Sequence, residues 1–373
     1  MFLKKLLGCT IGIAMCAFLA DRPALAAEDL PDSYPESYGE IIEASRAEGK
    51  LLIYGNIAEY NWRYILEGFQ ARYPWIKVEI ADLGPSTSFE RYYSESSVGK
   101  HTADLIASGA PDGWHRLFQK EGVLPYQSPE APALPEWSRP QPGLYTISTD
   151  PMIIVYNKLL MPKDQWPDSL DDLEELAEEH GGEYRNKLTT YNAASHSFAY
   201  DIHWAISKHM GDDAGEFFET VGSVTRPESG GSTMVEKVTS GEYVAGYFVS
   251  GITVFPRMDQ TGRSKIMGWS LIKDGTPVFH RGIGITAAAS SPNSAKLMLD
   301  YILSHEGQIA VGKGGLTPYR PDVTQQEVPY YSYSRIADEI GEENIVHVDY
   351  DPESYGQYDA FLARWQKAFR LKD

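Results

Sequence analysis

The sequence predicts an α/β protein of two domains, and three observations carry that reading. The chain has 373 residues, more than one ordinary domain of roughly 100–200 residues holds. Short apolar runs of strand length alternate with longer stretches whose apolar residues recur at helical spacing. Apolar residues make up 42% of the chain and aromatics 12%, the balance of a globular protein rather than a disordered one.

The first 26 residues stand apart. Lys4 and Lys5 give a basic start, residues 6–19 are apolar, and Ala24, Leu25 and Ala26 form a small-residue cleavage pattern. This reads as a secretory signal, with the mature chain expected to start at Ala27. The apolar run is shorter than the roughly 20 residues that span a bilayer, so no retained anchor is expected. Cys9 and Cys16, the only 2 cysteines, fall inside this segment, which leaves the mature chain without a disulfide or a cysteine metal site. The box Leu6-Leu7-Gly8-Cys9 has too little apolar sequence before it to direct lipidation. A free exported product is expected, and it fits the periplasm. The formal net charge is −19, and removal of the signal makes it more negative. Such a field repels nucleic acid and anionic membranes, although a small anion in a closed cleft responds to local dipoles instead.

Residues 51–54 read as a strand that ends at Gly55 and Asn56. Trp62, Ile65, Leu66, Phe69 and Tyr73 then share a helical face, and residues 76–80 form the next strand. This is the βαβ unit of an open sheet, in which ligands lie beyond the C-terminal strand ends. By position alone the candidates are Asn56, then Ser86, Thr87 and Ser88, then Ser108 and Gly109. The triplet precedes a helix expected near Phe89, where it suits either an anion or a plain N-cap.

Pro125, Pro129, Pro132, Pro135, Pro140 and Pro142 exclude regular structure and predict an extended surface crossing toward the second domain. Residues 152–156 follow as a buried central strand. Ser148 and Thr149 stand just before it, where the residues alone suit the end of a hinge. Ser169 and Asp172 form a capping pair for a helix that presents Leu170, Leu173, Leu176 and Ala177. Residues 193–198 make a small-residue turn that supplies Ser195, His196 and Ser197. Gly230 and Ser232 open a further helix carrying Met234, Val235 and Val238, and a strand over 243–249 ends at Ser250.

Residues 281–320, RGIGITAAASSPNSAKLMLDYILSHEGQIAVGKGGLTPYR, order the rest. A strand over 282–288 leads to a cap at Ser290 or Ser291 and to Pro292, which suits a first helical turn. Ala295, Met298, Leu299 and Ile302 share one face, and Gly312, Gly314 and Gly315 with Pro318 predict a tight exposed corner. This order of strand, capped helix and glycine-rich corner resembles the C-terminal half of family 1 extracellular solute-binding proteins. It is similar in particular to the branch of ferric-ion, phosphonate, sugar-phosphate and thiamine receptors. The segment Thr102-Ala103-Asp104-Leu105-Ile106 resembles that family's strand before the cleft, and residues 193–198 resemble its turn that aims a helix N-terminus at the ligand. Ser148 and Thr149 match the place just before the family's central strand, which implies cleft residues as an alternative to a hinge end.

The resemblance implies a type II periplasmic-binding-protein fold, two α/β lobes around a hinged cleft. Lobe one would take residues 27–145 and 281–330 and lobe two 146–280, with the docking of 331–373 left open. It implies a monomeric receptor that delivers a small solute to the permease and ATPase of an ABC importer, without a cofactor and without nucleic acid. Ferric receptors of the branch carry paired tyrosines, a histidine and a glutamate where this chain has Gly251 and Ile252, Ala58 and Gly109. Fe(III) requires anionic oxygen donors, so the expected ligand is a small anionic or polar organic molecule, a phosphorylated, phosphonate or carboxylate compound. Hydroxyl and N–H groups would hold it without a full cation, with Tyr60, Trp114 and Tyr247 as candidate covers. Glu228 or Asp150 near the cleft would instead favour an amine-bearing or zwitterionic ligand. A ferric ion is the alternative, for which Tyr92 with Tyr93 and Tyr330 with Tyr331 remain, although both pairs read as packing. A ligand sensor acting on a sensor kinase is a third reading. No nucleophile elbow, phosphate-binding P-loop or paired-histidine metal motif occurs, and no enzymatic activity is expected.

Overall fold

The computed structural model describes residues 31, 34–258 and 262–371. The signal, its cleavage pattern, Cys9 and Cys16 lie outside the described residues. The expected βαβ unit opens the sheet as β1 (Lys50–Gly55), α2 (Glu59–Arg72) and β2 (Lys77–Asp82), after a first helix α1 (Tyr38–Glu48). α2 buries Trp62, Ile65 and Phe69, the face that the apolar spacing marks. α3 (Pro85–Ser96), β3 (Leu105–Ser108) and α4 (Pro111–Gln119) follow. β1 pairs in parallel with both β2 and β3.

The proline-rich stretch departs from the expected surface crossing. It holds two 3-10 turns, at Ala131–Ala133 and Glu136–Ser138, and buries Ser128, Ala131, Leu134 and Ser138. Proline excludes a helix or an inner strand there, but the turns still pack their small and apolar residues inward.

β4 (Leu144–Asn157) is then one unbroken strand, buried along its whole length. The helices α5 (Leu170–His180), α6 (Ser197–Met210), α7 (Ala214–Gly222), α8 (Gly231–Ser240), α9 (Gly251–Met258) and α10 (Arg263–Ile266) belong to the second half. So do the strands β5 (Leu188–Thr189), β6 (Ala245–Ser250) and β7 (Met267–Ser270). The capping pair at α5 forms as expected, the Asp172 N–H donating to Ser169 Oγ at 2.9 Å.

β8 (Thr276–Ile285) returns the chain. The strand order is β2-β1-β3-β8-β4-β6-β5, with β7 on β4. Residues 144–151 of β4 pair antiparallel with β8, whereas residues 152–157 pair with β6 and β7. β4 therefore runs from one half of the molecule into the other. A register shift between Thr146 and Ser148 marks a bulge at Ile147, a device that re-aims the side chains that follow.

α11 (Pro292–Leu303) buries Ala295, Met298, Leu299 and Ile302 as the spacing predicts, and Pro292 lies in its first turn. Its cap differs, since Ser291 makes no side-chain cap bond. Glu48, at the end of α1, instead accepts from the N–H groups of Asn293 and Ser294 at 3.0 and 2.7 Å. The glycine-rich corner after α12 (His305–Lys313) is buried, not exposed. Gly314 backs against the start of α2, where Asn61 Nδ2 donates to the Gly314 carbonyl at 2.6 Å, and a side chain at 314 would run into the Asn61 backbone.

The last segment carries α13 (Tyr333–Ile340), β9 (Ile345–Val348) and α14 (Pro352–Ala368). β9 adds in parallel to the first half of β8. α14 lies against α6 and α7, with the Tyr200 hydroxyl donating to the Ser354 carbonyl at 2.8 Å.

Candidate functional site

A cleft of about 270 Å³ opens between the two halves. From the first half it takes Asn56 after β1, Tyr60, Pro85 and Gly109 after β3. The second half contributes Tyr191, His196, Phe198 and Ser250, and the crossing strands β4 and β8 contribute Asp150 and Arg281. Leu316, from the buried corner, closes one side. The C-terminal ends of β1, β3 and β6 all reach this space, as the rule for open sheets requires.

Arg281 is 7% exposed. Along β8 it shares a face with Phe279 and Ile283, because side chains alternate along a strand, and Phe279 packs edge-on against Phe198 with centroids 4.6 Å apart. Arg281 Nη1 donates to Asn56 Oδ1 at 3.1 Å, and the Gly109 N–H donates to the same oxygen at 3.1 Å. Nε has no hydrogen-bond partner. Glycine at 109 matters here, since a Cβ would lie 3.1 Å from Nη1 and 3.2 Å from Phe279 Cε1. Burial lowers the guanidinium pKa from its ordinary value, against the pull of Asp150.

Asp150 is 1% exposed. Its Oδ2 lies 3.8 Å from Arg281 Nη2, too far for a hydrogen bond. Ser250 Oγ donates to Oδ2 at 2.7 Å and the Ile252 N–H approaches Oδ1 at 3.3 Å. Burial pushes this carboxyl up to about 6, although Arg281, Ser250 and the amides of α9 all pull it down. Desolvation is thus the larger effect.

Two helix N-termini that face the cleft are engaged by the chain itself. At α9 the engaged group is Asp150. At α6, His196 is the N-cap: its Nδ1 accepts from the Ala199 N–H at 3.1 Å and its Nε2 faces the Ser229 carbonyl at 3.2 Å. Ser197 Oγ donates to Asp112 Oδ1, on α4, at 2.7 Å. A carboxylate at such a position complements the positive end of the helix dipole.

Of the residues singled out from sequence, Asn56, Gly109, His196 and Ser250 line the cleft. The others do not line it. The helix expected near Phe89 starts at Pro85, because proline suits the first turn, so Ser86, Thr87 and Ser88 lie inside that turn. Ser88 Oγ donates to the Gly84 carbonyl and Ser108 Oγ to the Pro85 carbonyl. Thr149 Oγ1 donates to the Thr317 carbonyl, and Ser148 is buried with no partner for its Oγ. Ser195 Oγ donates to the Asn192 carbonyl. Gly230 caps α8, and Ser232 accepts from Arg257 Nη2 at 2.9 Å. Among the expected covers only Tyr60 reaches the cleft. Trp114 Nε1 donates to the Ser108 carbonyl, and the Tyr247 hydroxyl meets that of Thr225.

Tyr191 and Arg281 escaped the sequence reading, and Asp150 entered it only as a carboxylate that would favour an amine-bearing ligand. A full cation does face the cleft, contrary to the expectation of neutral donors alone. The available signal was Arg281 itself, an arginine inside the run TPVFHRGIGI, where only a partnered or functional charge is stable. Ala58, Gly109 and Ile252 line the cleft and offer no anionic oxygen. Among the described residues, no group of three or more His, Cys, Asp or Glu is placed to hold a metal ion.

Residues 54–309 match the family described as bacterial extracellular solute-binding protein. No curated protein matches the chain. The fold is similar to that of the substrate-binding protein of an ABC transporter from Agrobacterium tumefaciens, at a TM-score of 0.72 and 22% identity over 87% of this chain and 97% of that one. It is also similar to AfuA from Actinobacillus pleuropneumoniae with fructose-6-phosphate bound, at a TM-score of 0.66 and 18% identity over 87% and 100%. Iron-bound HitA from Pseudomonas aeruginosa gives a TM-score of 0.66 and 16% identity over 86% and 99%.

Proposed function

This chain belongs to the bacterial extracellular solute-binding protein family, and from that premise we propose that it captures a small organic solute bearing an oxyanion for an ABC importer. Support for the importer comes from the family and from the transporter receptor of A. tumefaciens that shares its fold. The partners are then a membrane permease with its ATPase, and the receptor works as a monomer that binds without catalysis. An extracellular family implies a periplasmic or extracellular location, and the export signal is cleaved near Ala26.

The observation that carries the ligand class is Arg281. A guanidinium buried to this depth costs desolvation energy that a loose contact to Asp150 does not return. An oxyanion in the cleft supplies charge-assisted hydrogen bonds to it, beside Asn56 and the backbone at Gly109. The ferric reading draws less support, because the Tyr191 phenol is buried and its pKa is raised by that burial and by Asp150, which opposes the phenolate that Fe(III) needs. The two lobes, divided near residues 145 and 281, close over the solute by rotation about β4 and β8.

The test is native mass spectrometry of the exported protein, with Arg281→Gln beside it. An oxyanionic organic compound on the wild type and none on the variant is the expected result. Bound iron, or a retained cation or neutral compound indifferent to Arg281, overturns the reading.

A further inference from the structure

Arg281 and Asp150 sit in one cleft but are fastened to opposite halves. Arg281 is tied to the first half through Asn56 Oδ1, which also holds the Gly109 N–H. Asp150 is tied to the second through Ser250 and the start of α9. Their closest approach is 3.8 Å, so neither satisfies the other. The remaining ionisable lining groups are His196, committed to capping α6, and the phenols of Tyr60 and Tyr191. Arg257, further along α9, donates to Ser232.

This arrangement narrows the ligand class. A simple anion on Arg281 lies beside a second, desolvated carboxylate, and like charges at that separation in a low dielectric repel strongly. A simple cation on Asp150 meets the same objection from Arg281. A solute carrying both charges turns one loose ion pair into two close, charge-assisted ones and leaves the closed cleft neutral. Its two ends also engage opposite halves, so binding favours the closed form directly. The Asp150 carboxyl, pushed up to about 6 by burial, is a group that gains from an ammonium partner. A cleft of about 270 Å³ admits only a small molecule.

We propose that the solute is a small zwitterion, an amino carboxylate or aminophosphonate, whose oxyanion sits on Arg281 and whose ammonium sits on Asp150. This rests on the oxyanion reading above. Its test compares matched series on the intact protein by thermal melting and calorimetry. Glycine, β-alanine, γ-aminobutyrate and the aminoalkylphosphonates of the same lengths are set against the same acids without the amine, and against the amines without the acid.

The expected result is that at least one zwitterion binds roughly tenfold or more tighter than its deaminated partner. Asp150→Asn, which keeps an oxygen for the Ile252 N–H and can donate its Nδ2 to Ser250 Oγ, should bring the two within a few-fold of each other. Deaminated acids that bind equally well overturn the zwitterion and leave the oxyanion reading intact. Amines that bind as well as zwitterions overturn both, and a panel in which nothing binds overturns the proposal. The comparison of series on wild-type protein stands whether or not the variant folds.

Discussion

Ser197, the first residue of α6, donates its hydroxyl to Asp112 Oδ1 on α4 at 2.7 Å, and this bond joins the two halves beside the cleft. It differs from the other serine contacts near the site, which stay within one half. Asp112 is also held by Arg116, at 3.0 Å, so the carboxylate is fixed before Ser197 reaches it. We predict that Ser197→Ala shifts the protein toward its open form, at a cost to closure of about 1 kcal/mol. Small-angle scattering of the unliganded protein should report a larger radius of gyration for the variant. An identical radius would assign the bond to α6 capping alone.

Gly109 lets the Arg281 guanidinium lie flat against the backbone after β3. A methyl group there falls 3.1 Å from Nη1 and 3.2 Å from Phe279 Cε1, so the arginine has to move away from Asn56. Gly109→Ala is expected to weaken solute binding by roughly tenfold while leaving the melting temperature nearly unchanged. Calorimetry with whichever solute copurifies gives the answer. Equal affinity would mean that the guanidinium does not touch the ligand where it now stands.

The two readings, by sequence and by structure, part company in a regular way. Strand ends were legible, because apolar runs closed by glycine or polar residues give them away; Asn56, Gly109 and Ser250 reach the cleft for that reason. Hydroxyl side chains were not, since serine and threonine bond to nearby backbone whenever geometry allows. Ser88, Ser108 and Ser195 all do so. Arg281 depends on which face of β8 it occupies and on the bulge at Ile147, and neither is visible before the register with β4 is known. His196 was found for a role at the α6 turn, but the role the structure gives it is that of a cap.

Glu48 supplies the cap that Ser291 does not. It accepts from the Asn293 and Ser294 amides and from both of their side chains, at 2.7 to 3.0 Å. Two elements far apart in sequence, α1 and α11, are joined through one carboxylate at a helix N-terminus. Glu48→Ala should therefore cost about 1–2 kcal/mol of stability, while Glu48→Gln should cost less. Urea denaturation of the three proteins at neutral pH would show this order. An alanine variant as stable as wild type would show that Pro292 and packing alone start α11.

Asp300 gives the core a pH dependence of definite sign. Its Oδ2 accepts from the hydroxyls of Tyr38 and Tyr126 at 2.8 and 2.7 Å, and burial raises its pKa to about 7 in spite of those bonds. The folded protein thus holds this proton more tightly than the unfolded chain, whose aspartate titrates near 3.9. The stability it contributes is fully present below about pH 4 and is lost as pH rises through about 7. The total is at most about 4 kcal/mol for a shift of this size. Asp150, also raised, acts in the same direction, whereas buried His203, lowered to about 4 by desolvation, acts in the opposite one. Only the difference between variants therefore isolates Asp300. Asp300→Asn keeps an oxygen for both tyrosines and cannot ionise, so relative to wild type it should gain stability between pH 5 and about pH 7 and hold that gain up to pH 8. Denaturant melts of both proteins across that range test the point. A difference that stays constant with pH would place the titration on another group.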